Sequence, residues 1–440
     1  MQERFLHFIW LQQLYNSQAL QTTLNQNLQI VNPGYYNRES GPDFSQSTII
    51  WDGLSWNGDI EIHVKASDWL KHRHQKDPNY QSVILHVVWE EDQVIRRMNG
   101  QRIPCLELCG RVAPSVLQNY YKLQHALYPI PCQHLVGQCP DLLLRSWLDR
   151  MYVERLEEKT DQLEQELKHL RGDLDQLFWQ QMAYAIGLTA NAQNIQQVAR
   201  SLDIRTLLRY RDRLSYLEAL LFGQAGFLEN PSEDYSTNLH HIYRSLQRKH
   251  HQFHPLPIRW KLGRIRPQAS VWLKLAQLAS LLHQNILHTD FYMRPHALED
   301  LLRQLQVPLS PFWHSHYTFS KDRNDRYPKV SPGQARILLI NGVFPFLWMI
   351  GKRSGRDVLQ QRVLEWAEQL SLEGNRITKR WKALGIKPST ALDSQALVHL
   401  ERNYCQHKSC TQCRIGQWIM QRTNEPEPIL AKGPEEVQKQ

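Results

Sequence analysis

Residues 40–69 read SGPDFSQSTIIWDGLSWNGDIEIHVKASDW, and this stretch predicts a β-hairpin. Two runs rich in β-branched and aromatic residues flank Asp52-Gly53, a dipeptide typical of tight turns between antiparallel strands. Successive residues of the second run point to opposite faces of the strand, and the polar face carries Asp59, Glu61, His63 and Lys65. Such a face is typical either of a strand exposed to solvent or of a metal site.

The sequence on both sides of the hairpin predicts a mixed α/β (α+β) core. Before it, residues 2–15 have helical periodicity and residues 28–32 predict a strand. After it, Ser67 is the predicted N-cap of a short helix. The run SVILHVVWEE (82–91) is almost continuously apolar, as expected for a strand buried on both faces.

The rest of the chain is predicted to be mostly helical. Three prolines interrupt the pattern within residues 128–140, where we place a domain boundary. We therefore predict an α/β core at 1–127, a large helical domain at 128–422 and a disordered tail at 423–440.

Composition indicates an ordinary globular protein of 440 residues, 42% of them hydrophobic. The formal net charge of +9 permits a polyanionic partner such as nucleic acid. The first 15 residues lack the features of a signal peptide, and the most apolar run (337–351) is interrupted and too short to span a bilayer. Seven cysteines without an export signal predict a reducing compartment. We expect a cytoplasmic protein without membrane attachment, and its oligomeric state stays open.

The two acidic residues of the hairpin region predict a magnesium site. Asp43 lies just before the first arm and Glu61 lies within the second arm. Mg²⁺ prefers oxygen ligands, so carboxylates from adjacent strands suit it. A bound ion would activate water and stabilise charge on a phosphoryl oxygen, while His63 or Lys65 would orient the nucleophile.

This arrangement resembles the PD-(D/E)XK nuclease superfamily over about residues 1–110. Pro42-Asp43 corresponds to "PD", and Glu61-Ile62-His63 corresponds to "(D/E)XK" with histidine in place of lysine. Lys65 would supply the missing ammonium, and Glu3 occupies the position of an acidic residue on the first helix of many members. The resemblance implies a restriction-endonuclease-like core of mixed sheet flanked by helices. It also implies magnesium-dependent hydrolysis of phosphodiester bonds in DNA or RNA.

A non-catalytic function is the alternative hypothesis. The histidine at position 63, where the superfamily has lysine, favours a nucleic-acid-binding or scaffolding protein built on a degenerate nuclease core.

Two groups of side chains are predicted to contact nucleic acid. His72 and His74 follow the hairpin and would bind phosphate. The segment 243–267 places basic residues among aromatics, as expected for phosphate contacts with stacking partners: Arg259, Lys261, Arg264 and Arg266. Exposed polar surface is the alternative interpretation of both groups.

Three cysteines near the end of the chain predict a second metal site. Cys405, Cys410 and Cys413 have C-x₄-C-x₂-C spacing, which suits tetrahedral zinc or an iron–sulfur cluster. Both normally need four ligands, and the fourth would be His407, Cys132 or Cys139. The site would be structural. The alternative is that these are reduced cysteines acting as small buried hydrophobes.

The whole chain also resembles an uncharacterised bacterial family known only as a domain of unknown function, number 2851. The matching stretches are NPGYYNRESGPDF (32–44), GDIEIHVKASDW (58–69), LLFGQAGFL (220–228), GRIRPQASVWLKLAQLA (263–279) and ILLINGVFPFL (337–347). This second resemblance implies the fold and its extent and leaves the activity open.

Overall fold

The computed structural model is a mixed α+β structure, as predicted, with a mixed sheet in the N-terminal part and a mostly helical remainder. It describes residues 1–37, 39–263, 270–322 and 328–422, so the predicted tail at 423–440 lies outside the described residues. The chain divides into two compact units. Unit 1 comprises Met1–Trp147, Arg380–Ile386 and the described chain from Val398 onward, and unit 2 comprises Leu148–Lys379 and Lys387–Leu397.

The sheet of unit 1 contains the six strands β1 (Leu28–Asn32), β2 (Tyr35–Tyr36), β3 (Phe44–Trp51), β4 (Leu54–Lys65), β5 (Val83–Glu90) and β6 (Cys105–Glu107). Its order is β1-β3-β4-β5-β6, and β2 pairs with the start of β3. The pairs β1–β3 and β3–β4 are antiparallel, whereas β4–β5 and β5–β6 are parallel. Strand β4 therefore lies at the centre of the sheet, where its two neighbours run in opposite directions.

The predicted hairpin forms through a two-residue turn. Asp52 and Gly53 both have positive φ values, 50° and 81°, which is the conformation of the tight turns that match the twist of antiparallel strands. Trp51 then pairs with Leu54, and this register continues back to Ser47 opposite Gly58. A bulge at Gln46, which has a positive φ of 56°, shifts the register by one residue, so that Phe44 lies opposite Ile60.

The described helices are α1 (Glu3–Leu11), α2 (Asp68–Lys71), α3 (Pro114–Gln124), α4 (Asp141–His169), α5 (Leu174–Ile186), α6 (Leu188–Arg200), α7 (Ile204–Leu208), α8 (Leu214–Gln224), α9 (Asp234–Lys249), α10 (Val271–His283), α11 (Thr289–Met293), α12 (Leu298–Gln304), α13 (Pro332–Leu338), α14 (Phe344–Ser354), α15 (Asp357–Gln369), α16 (Arg376–Ala383), α17 (Ala391–His399) and α18 (Arg414–Gln421). The chain passes from one unit to the other within α4, within α16, after Ile386 between α16 and α17, and within α17.

Helix α1 packs against β4 and buries the apolar side chains Phe5, Ile9 and Trp10. It ends four residues before the predicted boundary, because Gln13 adopts a positive φ of 50° and turns the chain. The prediction that Ser67 caps α2 is wrong. Its backbone is already helical, and its hydroxyl donates instead to Asp92 Oδ2 at 2.8 Å.

One apolar helix of unit 2, Pro332–Ser354, is long and hydrophobic enough to cross a membrane, but 78% of its most apolar window is buried within the protein. This helix consists of α13 and α14, which are joined by a π-helical turn at Leu339–Val343. Such burial is expected for a core helix of a helical domain.

Candidate metal centre

The β3–β4 hairpin holds Asp43 and Glu61 beside each other. Phe44 pairs with Ile60, so the residues just outside this pair lie opposite each other in the ladder. The backbone amide of Asp43 donates to Glu61 Oε2 at 3.0 Å, and Asp43 Oδ2 accepts from the amide of Ile62 at 2.9 Å. These reciprocal hydrogen bonds fix the orientation of both carboxylates.

Helix α1 adds two side chains to this acidic pair. Glu3 and His7 are four residues apart and therefore lie on one face of the helix. His7 Nε2 lies 3.3 Å from Asp43 Oδ2 and 3.7 Å from Glu3 Oε1, and ligand atoms of all three residues lie within 4.8 Å of one another. The other ring nitrogen of His7 lies 3.4 Å from the Tyr36 hydroxyl. Among the described residues, the buried Nε2 has no hydrogen-bond partner of good geometry, as expected for an atom positioned to bind a cation.

A second group consists of three histidines. His63 lies on β4, His72 directly follows α2, and His74 begins the following 3₁₀ turn. Arg73, between the last two, has a positive φ of 64°, and the rings of His72 and His74 lie 5.4 Å apart. Ligand nitrogens of His63, His72 and His74 all lie within 4.8 Å of one another. These three imidazoles therefore meet the geometric requirement for ligands of a single metal ion.

Buried neighbours position this histidine group. His63 Nδ1 lies 2.9 Å from His86 Nε2 on β5, which pairs with β4 at Glu61. When His63 Nδ1 donates this hydrogen bond, its Nε2 presents a lone pair toward His72 Nδ1, 3.2 Å away. A second nitrogen held in this way fixes the ring and tautomer of a metal-binding histidine. The ring of His74 stacks on Tyr80 at 3.8 Å.

Glu61 connects the two groups. Its Oε2 accepts the Asp43 amide, while its Oε1 lies 3.3 Å from His74 Nε2 and 3.6 Å from His63 Nε2. The carboxylate is thus shared between an oxygen-rich group and a nitrogen-rich group. A carboxylate in this position can bridge two cations or serve either one.

The acidic side chains repel one another in this buried setting. Burial, reinforced by the charge of Asp43, raises the pKa of Glu61 to about 9. The same two causes, burial first, raise the pKa of Glu3. A divalent cation would remove this cost, since it would favour the ionised form of each ligand.

The histidines, by contrast, are held neutral. Burial, followed by the charges of His86 and His74, lowers the pKa of His63 to about 2. Burial lowers the pKa of His86 to about 3 and also lowers that of His74. Neutral imidazole is the form that binds metals or accepts a proton from water.

Other predicted site residues lie elsewhere. The ammonium of Lys65 is exposed and lies 4.0 Å from Glu90 Oε2, so it does not join the carboxylates. Arg259 and Lys261 are exposed residues of unit 2, and Arg264 and Arg266 lie outside the described residues. The predicted thiol ligands Cys132, Cys405, Cys410 and Cys413 are buried in unit 1, away from the two groups described above.

Two members of the centre were not predicted from sequence. His7 lies one helical turn after Glu3, a spacing that places both on the same face of α1. His86 interrupts an otherwise apolar strand, which is a signal that a buried polar partner is present.

A family model described as "Protein of unknown function (DUF2851)" matches residues 3–376. The chain therefore belongs to this family, and the match includes the complete carboxylate–histidine centre. No curated protein and no solved structure matches the chain significantly.

Proposed function

We propose that the protein is a metal-dependent nuclease that hydrolyses phosphodiester bonds in DNA or RNA through the carboxylate–histidine centre. The observation that carries this proposal is the convergence of Glu3, Asp43 and Glu61 at the start of the β3–β4 hairpin. Acidic residues at these positions also support the resemblance to the PD-(D/E)XK superfamily.

The donor set favours particular metals. The carboxylates of Glu3, Asp43 and Glu61 suit Mg²⁺ or Mn²⁺, which prefer oxygen ligands. The imidazoles of His7 and of the histidine group suit Mn²⁺ or Zn²⁺ better than Mg²⁺. We therefore expect Mn²⁺ to support activity at least as well as the Mg²⁺ expected from the superfamily resemblance.

Different side chains of the centre can perform different roles in the hydrolysis reaction. A bound divalent cation would lower the pKa of a water molecule and neutralise charge on the phosphate. Glu3, Asp43 and Glu61 would hold that cation. His74 is neutral because its pKa is lowered, and its Nε2 lies 3.3 Å from Glu61 Oε1, so this ring can accept a proton from the attacking water. His63, whose pKa is lowered to about 2, is too weak a base for this step and instead holds its neighbours in position. His72, exposed at the edge of the group, is available to contact a phosphate oxygen.

A specific observation favours the alternative, a non-catalytic nucleic-acid-binding or scaffolding protein. The superfamily lysine is replaced by His63, and the nearby Lys65 points toward Glu90 instead of the acids. A core without that ammonium could retain the fold and bind nucleic acid without cleaving it.

The cysteine inventory supports a cytoplasmic location for either function. All seven cysteines are free thiols, and six of them are buried. Free thiols persist most readily in a reducing compartment such as the cytoplasm.

The test uses the purified full chain with single-stranded, duplex and branched DNA and with RNA. Each substrate is incubated with Mg²⁺, Mn²⁺, Zn²⁺ or a chelator, and cleavage is followed by gel electrophoresis. We expect metal-dependent cleavage that is lost in Asp43→Asn and retained in Glu90→Gln, a matched exposed carboxylate of the same unit. Salt-dependent binding without cleavage under all conditions would instead select the non-catalytic alternative.

A further inference from the structure

Four side chains of the centre have the spacing of ligands around one tetrahedral metal ion: His63, His72, His74 and Glu61. His63 Nε2 lies 3.2 Å from His72 Nδ1 and 3.6 Å from Glu61 Oε1. The same carboxylate oxygen lies 3.3 Å from His74 Nε2. Ligands bound to zinc at about 2.0–2.1 Å in a tetrahedron are about 3.3–3.4 Å apart. The three measured separations bracket this value, so the four side chains can bind one ion with little rearrangement.

The turn that carries His72 and His74 is fixed by its backbone. The amide of His72 donates to Asp68 O at 2.9 Å, and Arg73 adopts a left-handed φ of 64°. Such a conformation costs a residue other than glycine about 1–3 kcal/mol, and it is common at ligand-binding sites. Its result here is that the rings of His72 and His74 lie 5.1 and 5.4 Å from the ring of His63, so all three imidazoles meet.

Neighbouring side chains hold these rings in fixed orientations. His63 Nδ1 lies 2.9 Å from His86 Nε2. The ring of His74 stacks on the ring of Tyr80, with 3.8 Å between their centroids. The indole of Trp69, which is 2% exposed, makes edge contacts with the rings of His63 and His74. Outer contacts of this kind orient the imidazoles that bind a metal ion.

The composition of the group favours zinc. Imidazole binds Zn²⁺ well, whereas Mg²⁺ prefers oxygen ligands. The buried carboxylate of Glu61 supplies negative charge that offsets the burial of a cation. Closed zinc sites have four protein ligands, whereas catalytic zinc sites have three and bind water at the fourth position. Three imidazoles and one carboxylate therefore form a closed site, without the open position that a catalytic ion needs.

The group is accessible to ions from solvent. His63 is buried on β4, His74 is partly buried and His72 is exposed. An ion can therefore enter at His72 and reach the inner ligands while the sheet stays folded. An entry path of this kind allows the site to exchange its ion with the solution.

Glu61 makes this site compete with the acidic group of the centre. Its Oε2 accepts the Asp43 amide at 3.0 Å, whereas its Oε1 faces the histidines. A zinc ion bound to Oε1 would withdraw the shared carboxylate from a cation held by Glu3 and Asp43. It would also occupy the lone pair with which His74 accepts a proton in the proposed hydrolysis.

We propose that His63, His72, His74 and Glu61 bind a Zn²⁺ ion that inhibits the enzyme. The ion inhibits because it occupies both the shared carboxylate and the proton acceptor. The zinc site itself depends only on the geometry of the four side chains, whereas its inhibitory effect rests on the proposed nuclease function. The two parts are therefore tested by separate measurements.

Zinc binding to the metal-free full chain tests the site. Isothermal titration with Zn²⁺ should show that wild type binds one more ion per chain than His72→Gln. His72 is the suitable ligand to replace because it is exposed, so the variant should unfold at the temperature of metal-free wild type. His125→Gln removes another exposed histidine of unit 1 and should bind zinc as wild type does. Equal zinc stoichiometry and affinity in wild type and His72→Gln would overturn the proposal.

A second variant separates this site from the acidic group. Asp43→Asn keeps the backbone amide that holds Glu61 but loses a carboxylate of the acidic group. It should therefore bind the same number of zinc ions as wild type. Co²⁺ in place of zinc should give the visible absorption of a tetrahedral ion in wild type and Asp43→Asn, and lose it in His72→Gln. If Asp43→Asn loses the zinc that His72→Gln keeps, the ion belongs to the acidic group and the assignment is wrong.

The inhibitory effect is measured by cleavage with Mg²⁺ or Mn²⁺ at increasing concentrations of Zn²⁺. Wild type should lose activity as the zinc site fills. His72→Gln should need at least about 10-fold more zinc for the same fractional loss, since even an outer partner of a metal ligand contributes about 10–100-fold in affinity. Zinc that fills the site without lowering cleavage would overturn inhibition. Absence of cleavage under every condition would overturn the proposed function and the inhibition together, whereas the zinc site would still stand or fall by the binding measurements.

Discussion

Two buried glutamates, one in each unit, show how differently a protein can bury a carboxylate. In unit 2, Glu218 of α8 accepts hydrogen bonds from Ser310 at 3.2 Å, from the Trp313 indole at 3.0 Å and from the Tyr235 hydroxyl. In unit 1, Glu61 faces Asp43 and histidine rings instead.

The two environments have opposite electrostatic effects. Burial raises the pKa of Glu218 to about 7, while its three hydrogen bonds act to lower it. Burial, followed by the charge of Asp43, raises the pKa of Glu61 to about 9, although the hydrogen bond from the Asp43 amide acts to lower it. Glu218 therefore has the partners of a structural carboxylate. Glu61 lacks a compensating positive charge, which is the arrangement expected for a cation ligand.

The largest effect is expected from Glu61→Gln. The amide keeps the shape of the carboxylate but loses its charge, so it would weaken binding of a cation by the side chains that Glu61 contacts. Since charge stabilisation by a metal contributes several kcal/mol, we expect the cleavage rate to fall by at least about 10²-fold. Cleavage assays measure the loss of activity, and isothermal titration with Mn²⁺ measures the loss of cation binding.

That experiment also has a structural readout. Without metal, Glu61→Gln should unfold at the same temperature as wild type or higher, because it removes repulsion from the acidic group. A variant that binds Mn²⁺ and cleaves normally would show that Glu61 is a structural residue like Glu218.

Glu218→Gln is the matched substitution in unit 2, and we expect it to reduce stability instead of activity. The glutamine amide nitrogen cannot accept a hydrogen bond, so at least one of the three donors would lose its partner. The expected cost is about 1–3 kcal/mol in the free energy of unfolding, measured by urea denaturation. A fall in cleavage comparable to that of Glu61→Gln would contradict the distinction between the two glutamates.

The two glutamates should affect the stability of the fold over different ranges of pH. Each folded-state pKa is raised, so the protonated carboxyl stabilises the fold and this stability is lost as the pH rises. Stability should be lost between about pH 4.5 and about pH 9 for Glu61, but only between about pH 4.5 and about pH 7 for Glu218. The measurement is the unfolding temperature of metal-free wild type minus that of each glutamine variant across this range.

Added Mn²⁺ provides the control for this pH series. Because a cation favours ionised Glu61, the difference in unfolding temperature between wild type and Glu61→Gln should become nearly independent of pH above about pH 7. The difference between wild type and Glu218→Gln should not change when Mn²⁺ is added. If the first difference does not depend on pH even without metal, the acids do not repel one another in solution.

Local patterns in the sequence predicted the hairpin that carries Asp43 and Glu61. The Asp52-Gly53 turn fixes the hairpin register from Trp51 back to Ser47. A bulge at Gln46, which the sequence pattern did not predict, then shifts the register by one residue and places Asp43 beside Glu61. Contacts from other elements were not predictable in the same way: His86 contacts His63 from a parallel strand, and His7 contacts Asp43 from helix α1. Such contacts depend on the packing of whole elements.

Strand alternation also has a limit, which Lys65 illustrates. Period-two alternation places it on the same face as Glu61 and His63, but it is the last residue of β4. Its sheet partner is Glu90, whose carboxylate lies 4.0 Å from the Lys65 ammonium, and its backbone N–H donates to Asp68 Oδ2 at 3.1 Å as the chain turns. Alternation therefore predicts the face on which a side chain lies, but not which partner along that face it contacts.

The smallest effect is expected from Lys65→Met, compared with His63→Gln on the same strand. The Lys65 ammonium is half-exposed and 4.0 Å from the exposed Glu90 carboxylate, a type of pair that contributes about 0–1 kcal/mol. We therefore expect Lys65→Met to change the unfolding temperature and the cleavage rate only slightly.

His63→Gln removes a buried ring that lies 3.6 Å from Glu61 and 2.9 Å from His86, so it should strongly lower both the unfolding temperature and the cleavage rate. Parallel cleavage assays with Mg²⁺ and Mn²⁺ compare the two variants. If Lys65→Met instead loses cleavage while keeping its stability and metal binding, the ammonium must reach the substrate during the reaction, as the superfamily lysine would.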